Sequence, residues 1–177
     1  MKTTLLILAA GMGSRYGGLK QLDSIDEAGH TLLEYSVYDA IEAGFDSIVF
    51  VIRKAFEIEF KAKVASKLDP FLSIEYAFQS IDDLPKGYDC PESRKKPWGT
   101  AQAVWSARQI VKNPFVVINA DDFYGREAFA LMHQFCQKMG TNQDSELVSG
   151  IVTYALKNTL SEHGAVNRGI CSIEKKQ

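Results

Sequence analysis

Three short segments hold residue types that can handle phosphate and a divalent cation. The first is Leu8-Ala9-Ala10-Gly11-Met12-Gly13-Ser14-Arg15, an apolar run that opens into two glycines and an arginine, with Lys20 downstream. Glycine lets the backbone approach a ligand closely and adopt positive φ. Amides exposed in this way form a nest for phosphate oxygens. Ala10, Gly11 and Gly13 are therefore candidate phosphate-binding positions. Arg15 offers a bidentate fork for phosphate, and Lys20 a movable point charge. The plainer alternative is a strand-to-helix turn with two solvated cations. Two better-known loops are excluded. A dinucleotide fingerprint needs a third glycine where Tyr16 stands, and a P-loop needs Lys then Ser or Thr after Gly18, where Leu19 and Lys20 follow.

The second segment is Pro97-Trp98-Gly99-Thr100-Ala101-Gln102-Ala103. A glycine-threonine turn opening a helix exposes amides and a hydroxyl; simple N-capping by Thr100 is the alternative. The third is Phe115 to Asn119 followed by Ala120-Asp121-Asp122. Adjacent carboxylates at the carboxyl edge of a sheet suit Mg²⁺, a hard cation that takes few protein oxygens and completes its shell with phosphate oxygens. Asp also favours turns and helix caps, which is the other reading of Asp121 and Asp122. His30, His133 and His163 form no constellation with Ser, Cys or acid residues. That fits a chemistry run by positioning and charge stabilisation, without a protein nucleophile.

The elements that must position these segments alternate. Thr3–Ala10 is a continuous apolar run, as in a strand buried on both faces of a parallel sheet. Thr31 is an N-cap with Glu34 as its capping-box partner, and the helix carrying Leu33, Val37, Ala40 and Ile41 stops at Gly44. Ser47–Ile52 and Ser73–Phe78 are strands, separated by an amphipathic helix over 56–68 that ends at Asp69-Pro70. Residues 79–98 form a long polar loop with four breakers, Pro85, Gly87, Pro91 and Pro97. A loop of that length is functional or mobile. Arg94, Lys95 and Lys96 within it are either a solvated patch or a means of steering a polyphosphate. A helix over 100–111, a strand over 115–119, a helix over 127–139 and a strand over 147–155 follow, and 167–173 is a further candidate strand. Such alternation predicts an α/β, Rossmann-like fold with a mainly parallel sheet and helices on both faces.

The length of 177 residues suits a single domain over 1–177. With 20 basic against 22 acidic side chains, the net charge of −2 excludes the basic excess that nucleic-acid binding rewards. Cys90, Cys136 and Cys171 are too scattered for a disulfide framework or zinc site, which fits a reducing cytoplasm. Leu5–Ala10 is too short to span a bilayer and leads into the glycine loop instead of a cleavage site, so no membrane association is expected.

The glycine-loop motif with Lys20 resembles the signature of the nucleotidyltransferases that join a nucleoside triphosphate to a sugar 1-phosphate or similar phosphorylated acceptor. The resemblance implies that Arg15 and Lys20 bind the triphosphate and offset charge on departing pyrophosphate. The family has a similar Gly-Thr-Ala segment beside the nucleobase, preceded by a glutamine that ends a strand, which Gln79 matches. An amide can donate and accept, so it can read a pyrimidine or purine edge. Gln79, Gly99 and Thr100 thus become base-side positions, with uridine or thymidine triphosphate implied as the donor. The family's aspartate at the end of the later strand matches Asp121, with Asp122 as alternative or support, and implies Mg²⁺.

The match runs from Lys2 to about Ile173, and Glu162–Val166 with Arg168–Ile170 resembles an acceptor-side hairpin. In the family, a second metal aspartate and an acceptor-phosphate lysine come from beyond this region, so the chain is expected to be a fragment, or the product of a truncated gene, that binds triphosphate and turns over poorly. Its unpaired sheet edges invite association, making a homo-oligomer an expectation. The function implied is nucleotidyl transfer to a sugar 1-phosphate with release of pyrophosphate. Alternatives are cytidylyl transfer to phosphocholine or a similar phosphorylated alcohol, and a regulatory nucleotide-binding module. Tyr16, and Arg53 at the end of the second strand, disfavour an NAD-dependent oxidoreductase.

Overall fold

Four apolar runs become one parallel sheet in a computed structural model that describes residues 1–11, 23–68, 73–139, 148–161 and 164–173. The strands are β1 (Thr4–Leu8), β2 (Ser47–Ile52), β3 (Ser73–Phe78) and β4 (Phe115–Asn119), in the order β3-β2-β1-β4. Thr4 of β1 sits opposite both Ser47 and Phe115, so β1 is the central strand against which β2 and β4 are aligned. Contacts divide the chain into Met1–Ser145 and Glu146–Gln177.

Side chains alternate across the sheet and make two cores. On one face Leu5, Ile7, Ile48, Phe50, Ile52, Val116 and Ile118 pack against α1 (Leu32–Ala43), a helical segment over 54–68 and α5 (Arg126–Met139). On the other, Leu6, Ala10, Val49, Val51 and Ala77 meet Ala103 and Ala107 of the helical stretch that follows the 79–98 loop. Helix α4 itself spans Thr100–Ser106.

Local chemistry sets the helix ends. Thr31 Oγ1 accepts from the Glu34 amide at 3.2 Å, while Glu34 Oε2 accepts from the Thr31 amide at 2.6 Å, the expected capping box. Gly44 closes α1 at φ 99°, the left-handed conformation that favours glycine. The 54–68 segment is not one continuous α-helix. It passes through a 3₁₀ turn at Lys54–Phe56, α2 (Glu57–Phe60), a π turn at Lys61–Ala65 and α3 (Ser66–Leu68). Helix α4 is shorter than the pattern over 100–111 suggests. Ser106 Oγ donates to the Gln102 carbonyl at 3.0 Å, and the chain then tightens into turns closed by Ala107 N–H on Val104 O and Ile110 N–H on Ala107 O. Such back-bonding competes with the α pattern.

The expected strand over 147–155 and the candidate at 167–173 are not strands over their described residues. Strand propensity acts through packing against neighbours, yet Ile151 and Ile173 are 78% and 88% exposed. In Glu146–Gln177 the local order is a 3₁₀ turn at Leu156–Thr159, with Arg168 Nε donating to Thr159 O at 3.1 Å. Among the described residues no helix is long and apolar enough to cross a membrane.

Candidate functional site

All four strands run the same way, so their carboxyl ends share one edge of the sheet. Across that edge the residues just past the strands are Gln79, Arg53, the Ala9–Gly11 turn and Ala120–Asp122. The ladder carries a short way into these turns: Ala9 N–H bonds Val51 O at 2.9 Å, Gln79 N–H bonds Ile52 O at 2.9 Å, and Ala120 N–H bonds Leu8 O at 3.1 Å. The chain steps from β1 to β2 to β3 in one direction and then returns to the other side of β1. That reversal between β1 and β4 is where open α/β sheets form a ligand crevice. Gly11 and Asp121 flank it. Gly13, Arg15 and Lys20 lie outside the described residues.

The β3 end is held by a network of amides. Gln79 Nε2 donates to Gly99 O at 3.3 Å and to Gln102 Oε1 at 2.6 Å. Gln102, buried on α4, donates through its own Nε2 to Ser80 O at 2.6 Å and Asp83 O at 3.2 Å. Gly99, not Thr100, is the N-cap of α4, at φ 109° and with no side-chain cap. Thr100, in the first turn, is exposed and its hydroxyl is not committed to capping.

The long 79–98 loop is fastened rather than loose. Trp98 Nε1 donates to Ile81 O at 2.9 Å, and Arg108 Nη1 and Nη2 donate to the two Asp83 carboxylate oxygens at 2.7 Å each. Asp83 in turn raises the Arg108 pKa, its hydrogen bonds outweighing the opposite effect of desolvation. Arg94 donates to the Lys96 and Pro97 carbonyls at 2.7 and 2.8 Å and stacks 4.1 Å from the Trp98 ring. Arg94 therefore shapes the loop, and its fork is engaged by backbone.

At the β4 end the two carboxylates differ. Asp122 Oδ2 accepts from Asn119 Nδ2 at 2.8 Å and from the Tyr124 hydroxyl at 3.4 Å, so it is tied to its own turn. Asp121 is exposed and has no partner among the described residues. 

The nucleotidyl transferase family model matches residues 4–169. The chain belongs to the nucleotidyl transferase family. No curated protein matches its sequence. Solved structures with the same fold include Rv0371c from Mycobacterium tuberculosis H37Rv, at 18% identity and TM-score 0.52, covering 75% of this chain and 59% of that one. A Bacillus anthracis protein described as a glucose-1-phosphate thymidylyltransferase, in complex with a sucrose, matches at 19% identity and TM-score 0.55, over 76% of this chain and 50% of its own. A UDP-glucose pyrophosphorylase complexed with UDP-glucose matches at 21% identity and TM-score 0.52, over 79% of this chain and 55% of its own. The chain thus spans between half and three-fifths of the length of these structures.

This nucleotidyl transferase domain can be tested for the Mg²⁺ that its motif implies. Among the described residues no group of three or more His, Cys, Asp or Glu could hold a metal ion. Mg²⁺ does not need one, because one or two carboxylates with substrate phosphates and water suffice. Asp121, exposed at the crevice and unpartnered among the described residues, fits that lean donor set better than Asp122. Sequence reasoning quoted Gln102 only as part of the motif and missed its role as the hub of the amide network. The signal was a glutamine one residue before the buried Ala103, on the apolar side of a short helix.

Proposed function

We propose that the domain transfers a nucleotidyl group from a nucleoside triphosphate to a phosphorylated small molecule, a sugar 1-phosphate by preference, in a cytoplasmic route to sugar nucleotides. The observation that carries this is the shared carboxyl edge of a family member's sheet, where Gln79, Gly11 and Asp121 stand on β3, β1 and β4 in spatial order. The base lies toward Gln79, Gly99 and Thr100, and the triphosphate is bound by Ala10, Gly11, Gly13, Arg15 and Lys20, the roles that the family resemblance implies. An acceptor phosphate oxygen attacks the α-phosphorus in line. The α–β phosphoanhydride bond breaks, and pyrophosphate leaves with the electron pair. Arg15 and Lys20 offset the charge on that leaving group, and Asp121 would hold Mg²⁺, which would supply Lewis-acid neutralisation of the phosphate oxygens.

The test pairs triphosphate affinity by calorimetry with pyrophosphate release across a panel of sugar 1-phosphates and phosphocholine. Triphosphate binding in Mg²⁺ and slow release with a sugar 1-phosphate are expected. Binding without release for any acceptor would favour the regulatory reading, and release with phosphocholine alone would favour the cytidylyl one.

A further inference from the structure

Arg53 follows the last residue of β2, and among the described residues it is the arginine whose guanidinium has no partner. Arg94 and Arg168 donate to backbone carbonyls, Arg108 is paired with Asp83, and Arg126 with Glu42. Lys54, next in the chain, pairs with Glu57 and lies 4.3 Å over the Phe78 ring. Arg53 is only partly exposed, yet its side chain makes no hydrogen bond, ion pair or ring contact with any described residue. A charge drawn partly out of water without a counter-ion costs free energy, and an anionic ligand recovers it. The position is well defined. Its φ of −92° and ψ of 142° continue the strand, and its carbonyl accepts from the Phe56 amide at 3.0 Å. Along β2, Val49 and Val51 face α4 while Phe50 and Ile52 face the other core, so alternation turns Arg53 toward the α4 side. Gln79 and Ala10 occupy that same side, Gln79 against Gln102 and Ala10 beside Leu6. Ile52 is level with Phe78 and Val51 with Leu8, so Arg53 stands between Gln79 and Ala10, one strand spacing of about 4.8 Å from each.

We infer that Arg53 is a further nucleotide-binding residue whose guanidinium takes the α-phosphate of the donor. This rests on the reading above, with the base at Gln79 and the phosphates at Ala10 and Gly11. On that reading the nucleotide crosses the end of β2, and the first anion it brings there is the phosphate attached to its ribose. Base and ribose are uncharged at neutral pH, so the α-phosphate is the group that completes the unpaired cation. The cations of the site then divide the triphosphate between them. Arg15 and Lys20 serve the pyrophosphate that departs. Arg53 holds the phosphate that the acceptor attacks and the product keeps, and its fork matches two of that phosphate's oxygens.

The experiment titrates UTP, CTP, ATP and GTP into the full chain with Mg²⁺. For the tightest of them, the nucleoside, its monophosphate and its triphosphate are then compared in wild type, Arg53→Met, Arg53→Lys and Lys20→Ala. Arg53→Met should weaken the monophosphate and the triphosphate by the same factor, about tenfold or more, the scale of a charged hydrogen bond removed. The nucleoside should change by less than about twofold. Arg53→Lys should recover part of the loss, because the charge remains and the fork does not. Lys20→Ala should weaken the triphosphate more than the monophosphate. Failure of every triphosphate to bind would overturn the proposed function. Triphosphate binding that Arg53→Met leaves unchanged would overturn this assignment alone. A loss confined to the triphosphate would place Arg53 at the departing pyrophosphate, and an equal loss for the nucleoside would place it at the base or ribose; either result refutes the assignment. Side-chain ¹⁵N labelling of arginine in the wild type reads the contact without relying on how Arg53→Met folds. The Arg53 Nε–H signal, identified by its loss in Arg53→Lys, should shift with the monophosphate and stay in place with pyrophosphate alone. The opposite pattern would refute the contact.

Discussion

The two faces of the sheet are built from different materials. One is filled with large side chains: Phe50, Phe60, Phe45 and Phe129 meet Leu33, Ile48 and Ile52 under three helical elements. The other is lined largely by alanine and valine, with Ala10, Ala77, Ala103 and Ala107 around Leu6, Val49 and Val51, and among the described residues a single helix lies upon it. The small side chains bring α4 close to the sheet, and that proximity lets Gln102 reach Gln79, Ser80 and Asp83. The first face holds the fold together by buried area. The second gives up area and gains a polar network at the carboxyl edge. Damage to the first should therefore register as lost stability, and damage to the second as lost order or lost binding.

The largest expected effect tests the first half of that contrast. Phe50 is fully buried, with its ring centroid 5.0 Å from that of Phe60 and 6.0 Å from that of Tyr76. Phe50→Ala should cost about 3–5 kcal/mol in urea unfolding. A loss under about 1 kcal/mol would mean that this face is not the mechanical core. Next comes Gly44→Ala. A methyl group there would sit 2.9 Å from His133 Cε1, on a backbone at φ +99°. The expected cost is about 1–3 kcal/mol, the scale of a strained left-handed residue. An unchanged melting temperature would show that the α1–α5 contact yields freely.

On the second face, Asp83→Asn should disturb a solvent-screened pair with Arg108 that contributes little to global stability. Its signature should be faster proteolytic cleavage within 79–98 at nearly constant global stability. Equal loss of stability and of loop order would erase the distinction between the faces. At the crevice, Asp121→Asn should raise the Mg²⁺ concentration needed for triphosphate binding more than Asp122→Asn does. A Mg²⁺ titration with the opposite ranking would assign the metal to the tied carboxylate.

The smallest effect is a pH dependence on the first face. Burial pushes the Glu34 carboxyl up, but the Lys67 ammonium, 2.8 Å away, and the Thr31 hydrogen bonds outweigh it and hold the group below its ordinary value of 4.5. A carboxyl depressed in the folded state adds stability above the unfolded value and loses it as pH falls through the folded one. Stability should therefore decline below about pH 4.5, and Glu34→Gln should flatten that part of the profile.

What the sequence disclosed follows the range of the interactions. The capping box of Thr31 and Glu34 and the stop at Gly44 are settled within a few residues, so they were readable. Strands β1 and β2 were readable because burial on both faces leaves unbroken apolar runs, and the outer strands β3 and β4 because aromatic and β-branched residues recur in them. The π turn at Lys61–Ala65 has no local mark, and neither has the end of α4, where Ala107 N–H turns to Val104 O. At the site, the positions of Gln79 and Asp121 at strand ends were legible from pattern. The polarity of the amide network was not, since it depends on the Ser80 and Asp83 carbonyls reaching a glutamine on another element. The difference between Asp121 and Asp122 likewise emerged only once Asn119 and Tyr124 were seen to hold one of them.

The alignment of β1 with two partners also fixes an order of assembly. Thr4 meets Ser47 across one crossover, but meets Phe115 only after β3, the 79–98 loop and α4 have been made. At a synthesis rate of roughly 5–20 residues per second, β4 reaches the ribosome exit seconds after β2 does. Its pairing also closes a longer loop, at about 0.6 kcal/mol for each doubling of length. The β1–α1–β2 unit is therefore the natural nucleus, and β4 the latch. Substitutions in β2 should slow folding, whereas those in β4, such as Ile118→Val, should chiefly hasten unfolding in a chevron series. The strand end that bears Asp121 would then be the last part of the crevice to arrive and the first to leave.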